Sequence, residues 1–494
     1  MCNLFCLLMI KFRLILILSL AVQALFAQPI SLHPDNPHYF LYKQQPKVLI
    51  TSAEHYGAVL NLDFDYRKYL QTLHEEGMDY TRIFTGSYVE NDQSFGIEKN
   101  TLAPLQNKLI TPWARSNEPG YINGGNRFDL DKWNPEYFDR LHDFVTMAEK
   151  LDIIVEVTFF SSIYNDGYWQ YCPFYAENNI NNTDRVERIF VHTKSNGNLF
   201  RYQEAMVRKI TRELNKYDNV IYEIQNEPWS DQQGAIFLLN KTNIPKDKQP
   251  WHTKSDLASE ASIEWQSAIA EIVKIEEAAL PKKHLIAQNY CNYGQPIAEV
   301  DNNIDIMNFH YVWPEAVHWN YGYKKPISFD ESGFSQKEEA TYRKQAWRFI
   351  LAGGAVFNNL DYSFVAGHED GSLEKNTSPG LGTKSLRKQF KFLKDFMFNL
   401  DFVQMEPANH LVQHAPGFIY QGLAEEGKAY AYYFEGDGKI DVELKVKNGS
   451  YKVAWWAPAT GQKISSESIK SRDRILTISG PIVEEDVTLL VVRD

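Results

Sequence analysis

From about residue 47 to residue 400, short apolar runs rich in strand formers alternate with stretches whose apolar positions return every three or four residues. The runs Val48–Ala53, Tyr80–Thr85, Ile153–Phe160, Val220–Ile224, His284–Gln288, Ile304–Phe309, Pro326–Phe329 and Val356–Asp361 read as strands. Helical spacing marks 65–76 (Tyr66, Tyr69, Leu70, Leu73), 135–151, 200–216, 262–279, 337–351 and 384–398. Eight strands with helical material between most of them imply a parallel sheet closed on itself, a (β/α)8 barrel. Long segments follow two of the strands, Gly86–Trp133 and Ser161–Asn198, and both are rich in Gly, Asn, Asp, Tyr and Trp. Segments that follow barrel strands build the functional face of this architecture.

Past residue 405 the period changes to two. Phe418–Gln421, Ala429–Tyr433, Ile440–Val446, Tyr451–Trp456, Ile475–Ile478 and Val487–Val492 are short alternating runs separated by turn signals such as Glu435-Gly436-Asp437-Gly438. They predict a small C-terminal antiparallel β-sandwich. Trp455 and Trp456 within it fit either packing on the barrel or contact with a sugar. The expected division is a leader over 1–27, the α/β barrel over 28–404 and the sandwich over 405–494.

The leader reads as an export signal. Lys11 and Arg13 precede the apolar Leu14–Leu20, and Leu25-Phe26-Ala27 ends in a small residue suited to cleavage before Gln28. The apolar stretch is short for a membrane span, and no later segment is long and uncharged enough to be one. The expectation is a secreted or periplasmic protein without a transmembrane segment. Of four cysteines, Cys2 and Cys6 leave with the leader. Cys172 and Cys291 remain, as a disulfide or as two buried thiols, and neither has the spacing of a zinc site. The net charge of -12 argues against nucleic acid and anionic membranes as partners, because binding phosphate takes a basic face. An aromatic content of 14% fits either large cores or platforms for flat sugar rings.

Two acidic segments carry the candidate chemistry. Val220–Trp229 ends in Asn226-Glu227-Pro228 at the close of the fourth strand, and 326–333 holds Asp330-Glu331 at the close of the seventh. Strands four and seven face each other across a barrel mouth, so Glu227 and Glu331 are placed to flank one glycosidic bond. By strand alternation Asp330 should point away from Glu331. Glu223 and Glu156, on strands four and three, read as structural acids.

On these residues the chain, over roughly 45–400, resembles the clan of (β/α)8 retaining glycosidases that includes the family 5 cellulases and mannanases. The resemblance implies Glu227 as acid/base, Glu331 as nucleophile and Asn226 as the group that hydrogen-bonds the sugar 2-hydroxyl. It also implies that Arg82, on strand two, keeps the nucleophile ionised, since a nearby cation lowers a carboxylate pKa. His310 and Tyr311, at the end of strand six, would contact nucleophile or sugar, and His55, after strand one, would line a further subsite. Trp229 is a candidate sugar contact. Many family 5 enzymes end strand eight with a Trp beneath the cleaved sugar; here the stretch 358–364 offers Tyr362 or Phe364 instead.

The implied activity is retaining hydrolysis of a neutral β-linked polysaccharide or oligosaccharide, glucan or mannan, without metal or organic cofactor. An exo-acting glycosidase or transglycosylase, and a barrel that only binds carbohydrate, are the alternatives. The chain has no nucleophile-elbow serine motif, phosphate loop or dinucleotide glycine pattern.

Overall fold

The computed structural model describes residues 28–494 except 93, 239–252 and 336. The leader and its cysteines therefore lie outside the described residues. Eight parallel strands form the barrel: β1 (Leu49–Ala53), β2 (Tyr80–Phe84), β3 (Ile154–Ser161), β4 (Val220–Asn226), β5 (Leu285–Asn292), β6 (Ile306–His310), β7 (Ile327–Glu331) and β8 (Val356–Leu360). Hydrogen-bonded neighbours run β1-β8-β7-β6-β5-β4-β3-β2. The gap between β1 and β2 is bridged just above the strands, where the Phe84 N–H donates to Tyr56 O at 3.0 Å. Each strand is buried along its whole length, as a parallel sheet covered on both faces requires.

Seven of the strand connections carry a helix, at Tyr66–Glu75, Pro135–Lys150, Leu199–Leu214, Glu260–Ala278, Pro314–Asn320, Glu339–Leu351 and, after β8, Lys384–Phe398; β5 runs to β6 through a loop. The first shows why they form. Asp65 caps its start by accepting from the Arg67 and Lys68 N–H groups, and the predicted stripe of Tyr66, Tyr69, Leu70 and Leu73 is buried.

Four features place the site. The long segment after β2 folds back as a hairpin, Trp113–Pro119 with Asn126–Trp133. A second hairpin, Gln233–Leu238 with Lys254–Ala258, follows β4 and joins the edge of β5 at Leu257 opposite Cys291. A small sheet of Ser31–Leu32, Phe40–Tyr42 and Gln45–Lys47 covers the opposite end, with the Ile30 N–H donating to Asp218 O (2.8 Å) just before β4 begins. In the β6–β7 ladder the register shifts, pairing Phe309 with Phe329 but His310 with Glu331, so Asp330 is the extra residue of a bulge.

The C-terminal strands form a six-stranded and a three-stranded antiparallel sheet. Tyr432 and Leu489 of the first and Ile440 and Val442 of the second share one buried core. The sandwich rests on the barrel helices. Tyr433 stacks on Trp347 with ring centroids 5.6 Å apart, and Trp456 meets Phe396 edge-on at 6.1 Å. Arg343 pairs with Asp486 at 2.8 Å, and Arg348 with Glu435. Trp455 is buried inside the sandwich, so both tryptophans serve packing. Cys172 and Cys291 are separate buried thiols, each pushed up to about 12 by burial. Among the described residues no helix is long and apolar enough to cross a membrane.

Candidate active site

A cavity of about 550 Å³ opens at the C-terminal ends of the strands and is lined by Glu227, Glu331, Asn226, Tyr311, His55 and Trp229, among others. Six residues proposed from sequence thus share one space. The strand ends aim them. Glu227, Tyr56 and Tyr311 each sit just past a strand with φ of 48°, 58° and 51°. The left-handed region is costly for side chains with a Cβ, and such residues persist where surrounding contacts hold them. The Glu227 carbonyl is held by the Ser162 hydroxyl at 2.5 Å, and the Ser230 N–H closes a turn onto the same oxygen at 2.9 Å.

Glu331 is held by hydroxyls. Tyr56 donates to its Oε2 at 2.8 Å and Tyr311 to its Oε1 at 2.6 Å. His310 Nδ1 lies 3.4 Å from Oε1, and the Arg82 guanidinium 3.6 Å from Oε2. Burial alone would raise this carboxyl, but His310, Arg82 and Tyr311 outweigh it and hold Glu331 well below the usual range. Burial likewise opposes charge on His310, and the carboxylates of Glu331 and Asp330 override it, keeping the imidazole protonated well above its ordinary value. Glu227 receives the Tyr164 hydroxyl on Oε2 (2.8 Å) and His310 Nδ1 on Oε1 (2.9 Å). Glu227, His310 and Glu331 each offer one atom within 4.8 Å of the others.

Asn226 is locked between neighbours. Its Oδ1 accepts from Arg82 at 2.8 Å, and its Nδ2 faces the Tyr164 hydroxyl (3.0 Å) and Ser161 Oγ (3.3 Å). Arg82 lies beneath the cavity. Its closest contacts are Glu223 and Asn226, and it reaches Glu331 only at longer range, so the role expected for it is shared with His310 and the two tyrosines. Trp229 stands edge-on to His310 at 5.6 Å. His55 lines the cavity with Nε2 3.5 Å from Glu90 Oε2; burial disfavours its charge, and Glu90 more than compensates.

Tyr362 is 1% exposed, and its ring packs against His55 and Phe334, which line the cavity, with centroids 6.2 and 6.1 Å away. Phe364 packs on Tyr69 in the core. The cause is Asp361, which takes the Ser363 N–H on one oxygen (3.0 Å) and Arg387 on the other (2.7 Å), turning the chain away after β8. Phe95 and Phe334 line the cavity instead.

Asp330 also departs from expectation. The β7 bulge turns it inward beside Glu331, where it meets Arg82 (3.4 Å), His310 (3.5 Å) and the amides of Asn289 and Asn308 (3.3 Å each). Glu223 and Glu156 join this buried layer, Glu223 through Arg82 and Glu156 through the Tyr80 hydroxyl at 2.7 Å. Two groups of three have spacing that suits a metal: Glu227–His310–Glu331 and Glu156–Glu223–Asp330. In the second, Arg82 already supplies the positive charge. In the first, a protonated His310 does so.

Sequence reasoning did not single out Tyr164, Glu90 or Tyr56. Tyr164 and Tyr56 lie within three residues of a strand end, which is the one signal that marks them.

No family model matches the chain, and no curated relative does. Solved structures do. A glycoside hydrolase family 5 protein from Bacteroides vulgatus aligns over 94% of this chain and 93% of its own, at 12% identity and a TM-score of 0.57. A second Bacteroides vulgatus protein, provisionally named a glycoside hydrolase, aligns over 94% and 82% at 12% identity with a TM-score of 0.65. A third, named a glycoside hydrolase, covers 94% and 97% at 11% identity with a TM-score of 0.55. Likeness at this identity establishes the shared architecture, barrel and C-terminal sheets together.

Proposed function

We propose that this chain is an exported retaining β-glycoside hydrolase acting on a neutral β-linked polysaccharide or its oligosaccharides. The observation that carries the reading is the pair Glu227–Glu331, with one oxygen of each within 4.8 Å across the floor of a single cavity. Double displacement works with carboxyl groups about 5 Å apart, whereas an inverting enzyme needs roughly 6.5–9.5 Å to seat water between them.

The roles follow from the surroundings. Glu331, kept ionised, attacks the anomeric carbon while Glu227 delivers its proton to the leaving oxygen, giving a glycosyl ester and a free alcohol. Glu227 then takes a proton from water, whose oxygen displaces Glu331 and releases a sugar of unchanged anomeric configuration. Asn226, which lines the cavity beside Glu227, is the group assigned to the 2-hydroxyl. Among the described residues no Lys or Arg lines the cavity, while Glu90, Glu227, Asp256 and Glu331 do, which disfavours uronate-rich chains. Export rests on the leader pattern of Lys11, Arg13 and Leu14–Ala27.

The test is reducing-sugar release by residues 28–494 on β-1,4-glucan, β-1,3-glucan, mixed-linkage glucan, mannan and xylan, with Glu331→Gln as control. Activity on one polymer, abolished in the variant, supports the reading. Silence on every polymer and on aryl glycosides leaves a barrel that only binds.

A further inference from the structure

Behind the cavity wall, the turn that carries Glu227 is tied to the segment after β3 through a buried carboxylate that takes no part in the chemistry. The turn runs on from β4. The Ser230 N–H donates to the Glu227 carbonyl at 2.9 Å and the Gln232 N–H to that of Pro228 at 3.3 Å, and Asp231 comes to lie against Ile163. The Asp231 side chain is fully buried. Its Oδ2 accepts the Ile163 N–H at 3.2 Å and lies 2.6 Å from His192 Nδ1, while the Gln225 amide of β4 stands 3.3 Å from both carboxylate oxygens. The His192 ring is held in turn against Trp265 and Phe160, with centroids 4.9 and 5.7 Å away. A carboxylate withdrawn from water persists where such donors surround it, and the same donors fix its place.

These contacts close a circuit through the acid/base. Ile163 sits between Ser162, whose hydroxyl holds the Glu227 carbonyl, and Tyr164, whose hydroxyl donates to Glu227 Oε2 at 2.8 Å. The Ile163 carbonyl accepts from Arg188 at 2.9 Å, so the backbone of this residue is held on both sides. Asp231 thus joins the turn that bears Glu227 to the segment whose tyrosine aims the Glu227 carboxyl. Asp231 and His192 are 5% and 3% exposed and lie outside the lining of the cavity, so they act without touching a sugar.

Resting on the hydrolase reading, we infer that Asp231 is a positioning residue for the acid/base. Held by His192 and Gln225, it anchors the Ile163 N–H and so sets where the Tyr164 hydroxyl meets the carboxyl of Glu227. Misplacing a catalytic group by about 1 Å can cost on the order of a hundredfold in rate. The loss belongs to substrates whose leaving group needs a proton, and it is small for those that depart without one.

The experiment uses residues 28–494 with the phenyl and 2,4-dinitrophenyl β-glycosides of cellobiose and mannobiose. Phenolate departs poorly without a proton, and 2,4-dinitrophenolate departs readily without one. The readout is kcat/KM for the phenyl substrate divided by that for the dinitrophenyl substrate. Each value reports formation of the glycosyl enzyme, and the ratio, taken on one preparation, does not depend on how much of it is folded. Asp231→Ala should lower the ratio roughly thirtyfold, because a positioned acid contributes about 10²–10⁴-fold and part of that is lost. Asp231→Asn keeps an acceptor for the Ile163 N–H, and the unpartnered Oε1 of Gln225 can turn to accept its NH2, so its ratio should stay within about threefold of the parent. An unchanged ratio in Asp231→Ala, however far both rates fall, overturns the inference, since a packing defect lowers both alike. So does a ratio in Asp231→Asn as low as that in Asp231→Ala, which would place the effect in the charge rather than in the anchored N–H. Both outcomes leave the hydrolase intact, whereas a parent inert toward all these glycosides removes the hydrolase reading and this inference together.

Discussion

The Nδ1 of His310 stands 2.9 Å from Oε1 of Glu227, and the same nitrogen lies 3.4 Å from Oε1 of Glu331. One imidazole thus touches both carboxylates of the cavity floor. Because it is held protonated, it is a fixed positive charge that favours ionised Glu331. Replacing it should have a directional effect. In His310→Gln the burial that raises Glu331 loses its strongest opponent, so the carboxyl titrates higher and a larger fraction is protonated in mild acid. The acid limb of the kcat/KM profile should move to higher pH, with kcat/KM at the optimum falling roughly a hundredfold. Aryl-glycoside rates between about pH 3 and 7 measure this, and an unmoved limb would sink the assigned role.

Glu227 should behave as an acid whose place a small anion can take. Glu227→Ala should lose most activity and regain it with azide, yielding a β-glycosyl azide because attack comes on the face that Glu227 served. An α-azide or unimpaired activity would refute the assignment. Tyr164→Phe removes the 2.8 Å hydrogen bond to the same carboxyl and a partner of Asn226. Its kcat should fall roughly tenfold on substrates with poor leaving groups, and less on activated aryl glycosides, which depart without full protonation. Equal losses on both would mean that Tyr164 acts on the sugar rather than on the acid.

The barrel was legible in sequence for a physical reason. Strands buried on both faces must be unbroken apolar runs, and the helix Tyr66–Glu75 shows its buried stripe at 66, 69, 70 and 73. The strand Gln462–Lys470 was invisible because it is exposed almost throughout and so carries no alternation. The acids of Asn226-Glu227 and Asp330-Glu331 announced themselves by ending strands. Their partners did not. Tyr164 and Tyr56 reach the carboxylates from just past strand ends, where backbone geometry decides the aim. Asp330 defeated the alternation rule because the β7 bulge inserts it between the residues paired with Phe309 and His310. The place of Tyr362, against His55 and Phe334, depends on a turn shaped by Asp361 and Arg387, a contact between positions 26 apart in the chain.

The sandwich should contribute to the stability of the whole molecule. Trp347, fully buried on a barrel helix, stacks on Tyr433 of the sandwich, and Arg343 beside it pairs with Asp486 and Glu485. Trp347→Ala should cost about 3–5 kcal/mol by removing a large buried ring from a packed interface. Thermal unfolding followed by circular dichroism should show one lowered transition. An early, separate melting of β structure would mean that the two parts unfold independently.

Glu156 should make stability depend on pH in the direction opposite to Glu331. Burial raises its carboxyl well above the ordinary carboxylate value near 4.3, and the neighbouring Glu223 and Asp330 add to this against the opposing pull of Arg82. A raised group binds its proton more tightly folded than unfolded. Its stabilising contribution is complete below the unfolded value and is lost as pH rises toward the folded one. Glutamine keeps an acceptor for the Tyr80 hydroxyl and does not titrate, although its NH2 replaces the oxygen that accepts from the Asn308 amide at 2.8 Å. The melting temperature of Glu156→Gln should therefore start below the parent at pH 5 and gain on it progressively by pH 8. Scanning fluorimetry at pH 5, 6, 7 and 8 gives the two curves. Parallel curves would show that Glu156 is already ionised in the folded protein, and that Arg82 balances three buried carboxylates rather than two.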